Sequence, residues 1–277
     1  MLRDVEDDDI PELFWIRCGE STRIGGERCI FWSSERALRV YLNTLRSVGG
    51  SSLVLTLDGS LVGGIDLIPE RNDPLLGSYI FIGALWAPDE ERADLLLKKA
   101  VEMAEERGFH FVDVVPARLP RFYEKRGFRR TREWLSISGA VRPSPHQFRA
   151  ESLSSEEEEE LEDFVTVSGH MFPPRFTWRL LWELKTSGAA DVDFWRISVG
   201  RSTFLAALIE DNLLLWGSRN VSLGEVFDAV EACLGTALKK GVSILSAYST
   251  EDFLDAFLAA GFEDTRKRMV WMRRQLI

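Results

Sequence analysis

The chain has 277 residues, 45% of them hydrophobic, and its 34 basic against 44 acidic side chains give a formal net charge of −10. That balance excludes a general nucleic-acid binder, because neutralising phosphates needs concentrated Lys and Arg, although Arg126, Arg129, Arg130 and Arg132 form a local basic patch. Cys18, Cys29 and Cys233 are odd in number and lack Cys-x-x-Cys spacing, and His110, His146 and His170 lie far apart, so neither a disulfide framework nor a metal site is expected.

The acidic start MLRDVEDDDIPELF lacks the basic-then-apolar order of a secretory signal. No apolar run approaches the ~20 residues of a membrane span. A soluble cytoplasmic protein without membrane partners is expected.

In DVEDDDIPELFWI a strand end meets a helix start, with Asp8 or Asp9 as cap and Pro11 in the first turn. SSLVLTLDGSLVGGIDLI (51–68) reads as a β-hairpin: Leu53, Leu55 and Leu57 alternate, and Asp58-Gly59 supplies the turn. SYIFIGALW (78–86) is a further strand. ADLLLKKAVEMAEERG (93–108) places Ala93, Leu96, Leu97, Ala100 and Ala104 on one helical face, with Gly108 as the stop. FHFVDVV is a strand, RLPRFYEKRG a short helix ending at Gly127, and TREWLSIS a closing strand. The order β-α-β-β-β-α-β-α-β, with extra helix near the start, implies an α+β fold, a mixed central sheet flanked by helices.

Between 139 and 160 the composition changes to GAVRPSPHQF, an extended linker running into a new strand, followed by a helix start at SSEEEEELEDF in which Ser155 and Glu158 have capping-box spacing. The first half then recurs. Residues 193–218 give a hairpin and a third strand. Val226, Phe227, Val230, Leu234, Ala237 and Leu238 mark a helix ending near Gly241, and VSILSAY, DFLDAFLAAG and TRKRMVWMR repeat strand, helix and strand. Gly127 follows Gly108 by 19 residues, and Gly261 follows Gly241 by 20. Tandem related domains, 1–142 and 147–277, are the economical organisation.

This order, with Gly-Phe after the last short helix of each half, resembles the GNAT superfamily of acyl-CoA N-acyltransferases. The resemblance implies a fourth strand that splays from the fifth, with the pantetheine arm of acetyl-CoA in the gap. It also implies a pyrophosphate held by backbone N–H groups at the next helix start, in a loop of form [QR]-x-x-G-x-[GA].

R219-N-V-S-L-G224 follows the apparent fourth strand LLLWGS: Arg219 falls at the first position, Ser222 replaces the first glycine and Gly224 matches the last. Leu215, Trp216, Arg219, Ser222 and Gly224 are therefore the expected cofactor-binding residues. A plain loop with a solvated Arg219 is the bland alternative.

At the equivalent place the first half reads W86-APDEERAD. It holds no glycine, and Asp89, Glu90, Glu91 and Asp94 crowd acidic charge where a diphosphate would sit, so this copy's CoA loop is degenerate.

The resemblance places a tyrosine, proposed to protonate the leaving thiolate, in the aromatic-Tyr-x-x-x-Gly-Phe segment. Tyr123 stands there in the first half; Phe257, which cannot donate, stands in the second. Pro116 and Thr250 occupy the places of the family's frequent Asn. Tyr123 is the candidate acid, against the plain reading of an aromatic packed on the sheet. Asp66, Asp113 and Glu210 are candidate bases by being acidic near strands, and His170 by its pKa range. Trp178, Trp182 and Trp195 read first as packing residues.

The implied reaction moves an acetyl or other acyl group from acetyl-CoA, or another acyl-CoA, to a primary amine of a small molecule or peptide. No metal is implied and the oligomeric state is open. The alternative is a non-catalytic CoA-binding or protein-interaction module on the same scaffold.

Overall fold

The computed structural model describes residues 1–18, 34–115, 120–144, 149–153, 164–169 and 172–276. Cys29, Pro116, His146, Ser155, Glu158 and His170 lie outside them. In chain order the first half gives β1 (Leu2–Asp4), α1 (Ile10–Cys18), α2 (Glu35–Ser47), β2 (Ser51–Leu57), β3 (Ser60–Asp73), β4 (Gly77–Trp86), α3 (Glu90–Glu106), β5 (Phe111–Val114), α4 (Pro120–Glu124) and β6 (Arg129–Ala140). The second half gives β7 (Arg149–Ser152), β8 (Phe164–Ser168), α5 (Pro174–Thr186), β9 (Val192–Val199), β10 (Ser202–Ile209), β11 (Asn212–Ser218), α6 (Leu223–Lys239), β12 (Ile244–Thr250), α7 (Glu251–Ala259) and β13 (Phe262–Gln275).

Local chemistry accounts for most of these boundaries. Asp58 and Gly59 take φ of 50° and 84°, the two positive values that a two-residue hairpin turn requires. In α3 the expected apolar face is buried throughout, joined by Val101. The cap before α1 differs from expectation: a 3-10 turn at Asp7–Asp9 precedes the helix, and Asp9 accepts from Glu6 N at 2.8 Å while paired with Arg3. The linker runs into β7 as anticipated, but β8 and α5 were not foreseen.

The chain folds into two units drawn from alternating segments: Met1–Thr131 with Met171–Ala190 and Val270–Ile277, and Arg132–His170 with Asp191–Met269. In the first unit the strands run β1-β2-β3-β4-β5, then the end of β13. β4 and β5 are parallel; Met272 to Gln275 of β13 pair antiparallel with Val114 to Phe111. One sheet face carries α3 and α4, and Leu96, Leu97, Ala100, Phe122 and Tyr123 share a core with Ile80, Ile82, Val112 and Met272. On α2, Tyr41 meets Phe176 of α5 edge-on, ring centroids 5.7 Å apart. In the second unit the order is β6-β12-β8-β11-β10-β9-β7, and α6 and α7 bury Val226, Val230, Leu234 and Phe257 against Ile137, Leu215 and Leu245.

The last strand of each half therefore closes the unit that the other half begins. Trp134 to Ala140 of β6 pair with β12, while β5 takes the end of β13. The halves 1–142 and 147–277 describe how elements repeat along the chain; the units interleave them. Among the described residues, no helix is long and apolar enough to cross a membrane.

A chain of residues 1–142 lacks both the β13 residues beside β5 and the α5 helix beside α2. It is expected not to form a folded monomer, which sedimentation velocity and a circular-dichroism melt would check. A cooperative monomeric melt would show the exchanged strand to be dispensable.

Candidate functional site

Among the described residues each unit contains one parallel strand pair joined through a helix, and such a pair can part at its C-terminal ends. In the first unit, Tyr79 to Ile82 pair with Phe111 to Val114, and β5 stops there. β4 continues to Trp86, and among the described residues no strand pairs with it on that edge past Ile82. Against β3, Asp66 faces Ala84 while Leu67 faces Ile82, so Gly83 is an extra residue, a β-bulge. Tyr79 to Ile82 and Leu85 to Trp86 are buried, yet Gly83 and Ala84 between them are partly exposed. Solvent reaches the middle of a central strand at its bulge.

Gly83 is required there by close approach. A Cβ would lie 2.8 Å from Ile68 Cδ1, 2.9 Å from Tyr41 Oη and 3.3 Å from Phe172 Cε1. Tyr41 donates to Asp66 Oδ2 at 3.0 Å, Ser52 to Oδ1 at 2.5 Å, and Arg17 grips both oxygens at 2.8 and 2.7 Å. Asp66 is wholly buried, so this carboxylate holds α1, α2 and β2 to β3 beside the bulge. Of the base candidates, Asp66 is thus committed to structure.

Asp113 on β5 accepts from Trp271 Nε1 at 3.0 Å and from Arg273 at 2.8 and 2.6 Å; burial pushes its carboxyl up while Arg273 opposes. Glu210 is an exposed turn residue at φ 56°. His170 lies outside the described residues.

The second unit differs at the same place. β11 and β12 pair only at Asn212 and Ser246 before parting. β8 lies between them, antiparallel to β11 from Leu215–Ser168 to Ser218–Phe164 and touching β12 at Ser249. A bulge falls between Leu215 and Trp216, but both are buried, at 0% and 1% exposure. The edge of β11 on which a pantetheine arm was expected is already paired with β8. Arg219, Ser222 and Gly224 follow at the surface, and a Cβ at Gly224 would meet nothing within 4 Å.

The helix starts after β4 and β11 share a feature. At α6, Ser222 is the cap: its N–H and hydroxyl both donate to Glu225 Oε2, at 2.9 and 2.8 Å, and Ser202 donates to Oε1 at 2.6 Å. These hydrogen bonds, Ser202's foremost, hold the Glu225 carboxyl below its usual range. At α3, Asp89 Oδ1 accepts from Arg92 N at 2.9 Å, and the N–H groups of Arg92 and Glu91 lower its pKa. Arg92 pairs with Asp89 itself. Arg126 pairs with Asp94 at 2.7 Å and Glu90 at 3.4 Å, its guanidinium 3.7 Å from the Phe122 ring centroid. Much of the expected basic patch is therefore committed, Arg130 also pairing with Glu124.

Tyr123 belongs to the first unit and the five cofactor-loop residues to the second. Tyr123 is 3% exposed, edge-on to Phe122 and Phe128 at 5.1 and 5.4 Å, in one core with Ile82, Leu85 and Val114. Burial pushes its phenol well above the usual value, Arg126 slightly opposing. Trp178, Trp182 and Trp195 are buried. Cys233 is buried on α6, its thiol pushed up to about 12, which leaves it unreactive.

Two features escaped the sequence reading. The small pair Gly83-Ala84 inside an apolar strand was the available signal for the opening, where the second half has Leu215-Trp216. FVTVS (164–168) carries the β-branched run of a strand but no alternation to distinguish it.

No family model and no curated protein matches the sequence. Solved structures do. A putative acetyltransferase from Pyrococcus horikoshii is 13% identical, with 100% of this chain and 89% of that one covered at a TM-score of 0.68. A GCN5-related N-acetyltransferase from Anabaena variabilis is 13% identical, covering 99% and 72% at 0.66. A tandem GNAT protein from the clavulanic acid biosynthesis pathway is 12% identical, covering 99% and 98% at 0.56. At these identities the likeness is one of fold, and the fold is that of tandem GNAT proteins.

Replacing Ser222→Ala removes a cap and is expected to cost about 1 kcal/mol, read as a lowered urea midpoint. Glu70, 5% exposed on β3, has its carboxyl raised by burial, with Asn72 N–H and Arg175 opposing. A raised folded pKa means the native state holds the proton longer, so stability falls as pH rises from the unfolded value, near ~4.3, through the folded one. Glu70→Gln should therefore gain on the wild type in melts as pH goes from about 4 to 7, and a constant difference would rule that linkage out.

Proposed function

We propose that this tandem GNAT-fold chain is an N-acyltransferase whose chemistry belongs to its first unit. An acetyl group would pass from a thioester, acetyl-CoA in the simplest case, to the primary amine of a small molecule or peptide. The observation that carries this reading is the solvent-reached bulge at Gly83–Ala84, beyond the last β4–β5 pair. In the second unit the corresponding residues, Leu215 and Trp216, are buried beside β8.

Acetyl-CoA supplies the acyl group already activated as a thioester. The chain's part is positioning and polarisation: strand N–H donors at the bulge, fixed by the packing under Gly83, favour charge growing on a carbonyl oxygen. Tyr123 remains protonated at neutral pH. A thiol near ~8.5 is a stronger acid than a phenol above ~10, so Tyr123 can steady a departing thiolate by a hydrogen bond without surrendering its proton. A non-catalytic scaffold is the second reading, favoured by the carboxylates already lodged at both helix starts. It predicts no thiol release with any amine panel.

Calorimetry with acetyl-CoA tests the placement. Arg219→Glu should bind within about twofold of wild type, while Ala84→Leu, a larger side chain at the opening, should weaken binding at least about tenfold. Loss in Arg219→Glu with Ala84→Leu unaffected would move the site to the second unit. In turnover assays Tyr123→Phe is expected to lower kcat about tenfold with KM little changed.

A further inference from the structure

Resting on the reading above, we infer that the site takes its acyl donor by the thioester and pantetheine arm alone, without recognising the nucleotide diphosphate of CoA. The helix start that directly follows the β4 opening is that of α3, which begins three residues after β4 ends. A helix start binds phosphate through N–H groups left without partners and through positive potential. Here a carboxylate of the chain already draws on both. Asp89 accepts from the Arg92 N–H at 2.9 Å, and the Glu91 N–H also favours its charged form, so the chain's own carboxylate sits where an anion would.

The charge balance agrees. Asp89, Glu90, Glu91 and Asp94 set four carboxylates against the two guanidinium groups of Arg92 and Arg126, a balance of −4 + 2 = −2. Both arginines are paired: Arg92 with Asp89, Arg126 with Asp94 and Glu90. A diphosphate there would have to break these pairs and still face the carboxylates. At the start of α6 a carboxylate is lodged as well, by a different arrangement: Glu225 accepts from the N–H and hydroxyl of the cap Ser222, and Ser222 Oγ accepts from the Glu225 N–H. The donor class is therefore an acyl thioester of pantetheine or a shorter cysteamine arm, for which a nucleotide is ballast.

The intact protein should be titrated with acetyl-CoA and with S-acetylpantetheine at low and moderate salt. The inference expects dissociation constants within about threefold of each other. The variant Asp89→Asn with Asp94→Asn keeps a capping side chain while removing two charges. It should bind acetyl-CoA about tenfold tighter than wild type and leave S-acetylpantetheine unchanged. Acetyl-CoA binding 30-fold or more above S-acetylpantetheine in the wild type, by order of magnitude (~1.5 decades), would overturn the inference and leave the acyltransferase reading standing. No gain for acetyl-CoA in the variant would overturn its electrostatic basis. Failure of both thioesters to bind would overturn the acyltransferase reading, and this inference with it.

Discussion

Two neighbouring parallel strands satisfy each other's backbone groups only while they stay in register. Where they part, every N–H and C=O along the two inner edges needs another partner, water included. Both units meet that requirement, and they solve it differently. β4 and β5 hold register for four residue pairs and then leave Gly83 and Ala84 to solvent. β11 and β12 hold it for one and admit β8, whose backbone supplies the missing partners. A gap that water fills can take a ligand with amides of its own; one filled by a covalent strand has no such capacity unless that strand leaves. The copies differ in this hydrogen bonding before any side chain is considered.

The exchange of closing strands gives the tandem arrangement its mechanical sense. Asp113 on β5 is buried, and its three hydrogen bonds come from Trp271 and Arg273 on a strand more than a hundred residues away. A buried carboxylate without them would be costly. The first unit is therefore incomplete until the last residues of the chain have been placed. The second half, whose strand gap is closed by β8, contributes α5 and the end of β13 to the unit that the first half begins.

Much of the fold was legible because it is written in local chemistry. Asp58-Gly59 can make one kind of turn, and the α3 stripe can bury only one face; Gly127 and Gly261 adopt φ of 84° and 88° at the turns where short helices end. The Gly-Phe spacing repeated, and the repeat was real. What could not be read was partnership at a distance. Nothing in FVTVS says that it lies between β11 and β12, and nothing in TREWLSIS says that it pairs with β12. Such pairings depend on which edges remain unsatisfied once the rest has folded, a property of the whole chain.

The candidate site was less legible for a sharper reason: one short stretch satisfies two patterns. Arg219-Asn-Val-Ser-Leu-Gly224 fits a phosphate loop with one exception, Ser222. Shift the window by one residue, and Ser222-Leu-Gly-Glu225 is a capping box, the pattern of a helix start that satisfies its own donors. The two readings share the N–H groups of Ser222 and Glu225, which the capping box uses. This structure shows the capping box: the Glu225 carboxylate accepts from the Ser222 N–H and from the hydroxyls of Ser222 and Ser202, while Ser222 Oγ accepts from the Glu225 N–H. At α3 the carboxylate stands at the cap itself, where Asp89 accepts from the Arg92 N–H. An anion-binding motif read from sequence thus needs a second condition, that no acidic side chain three residues into the helix, or at its cap, can reach back to claim the donors first.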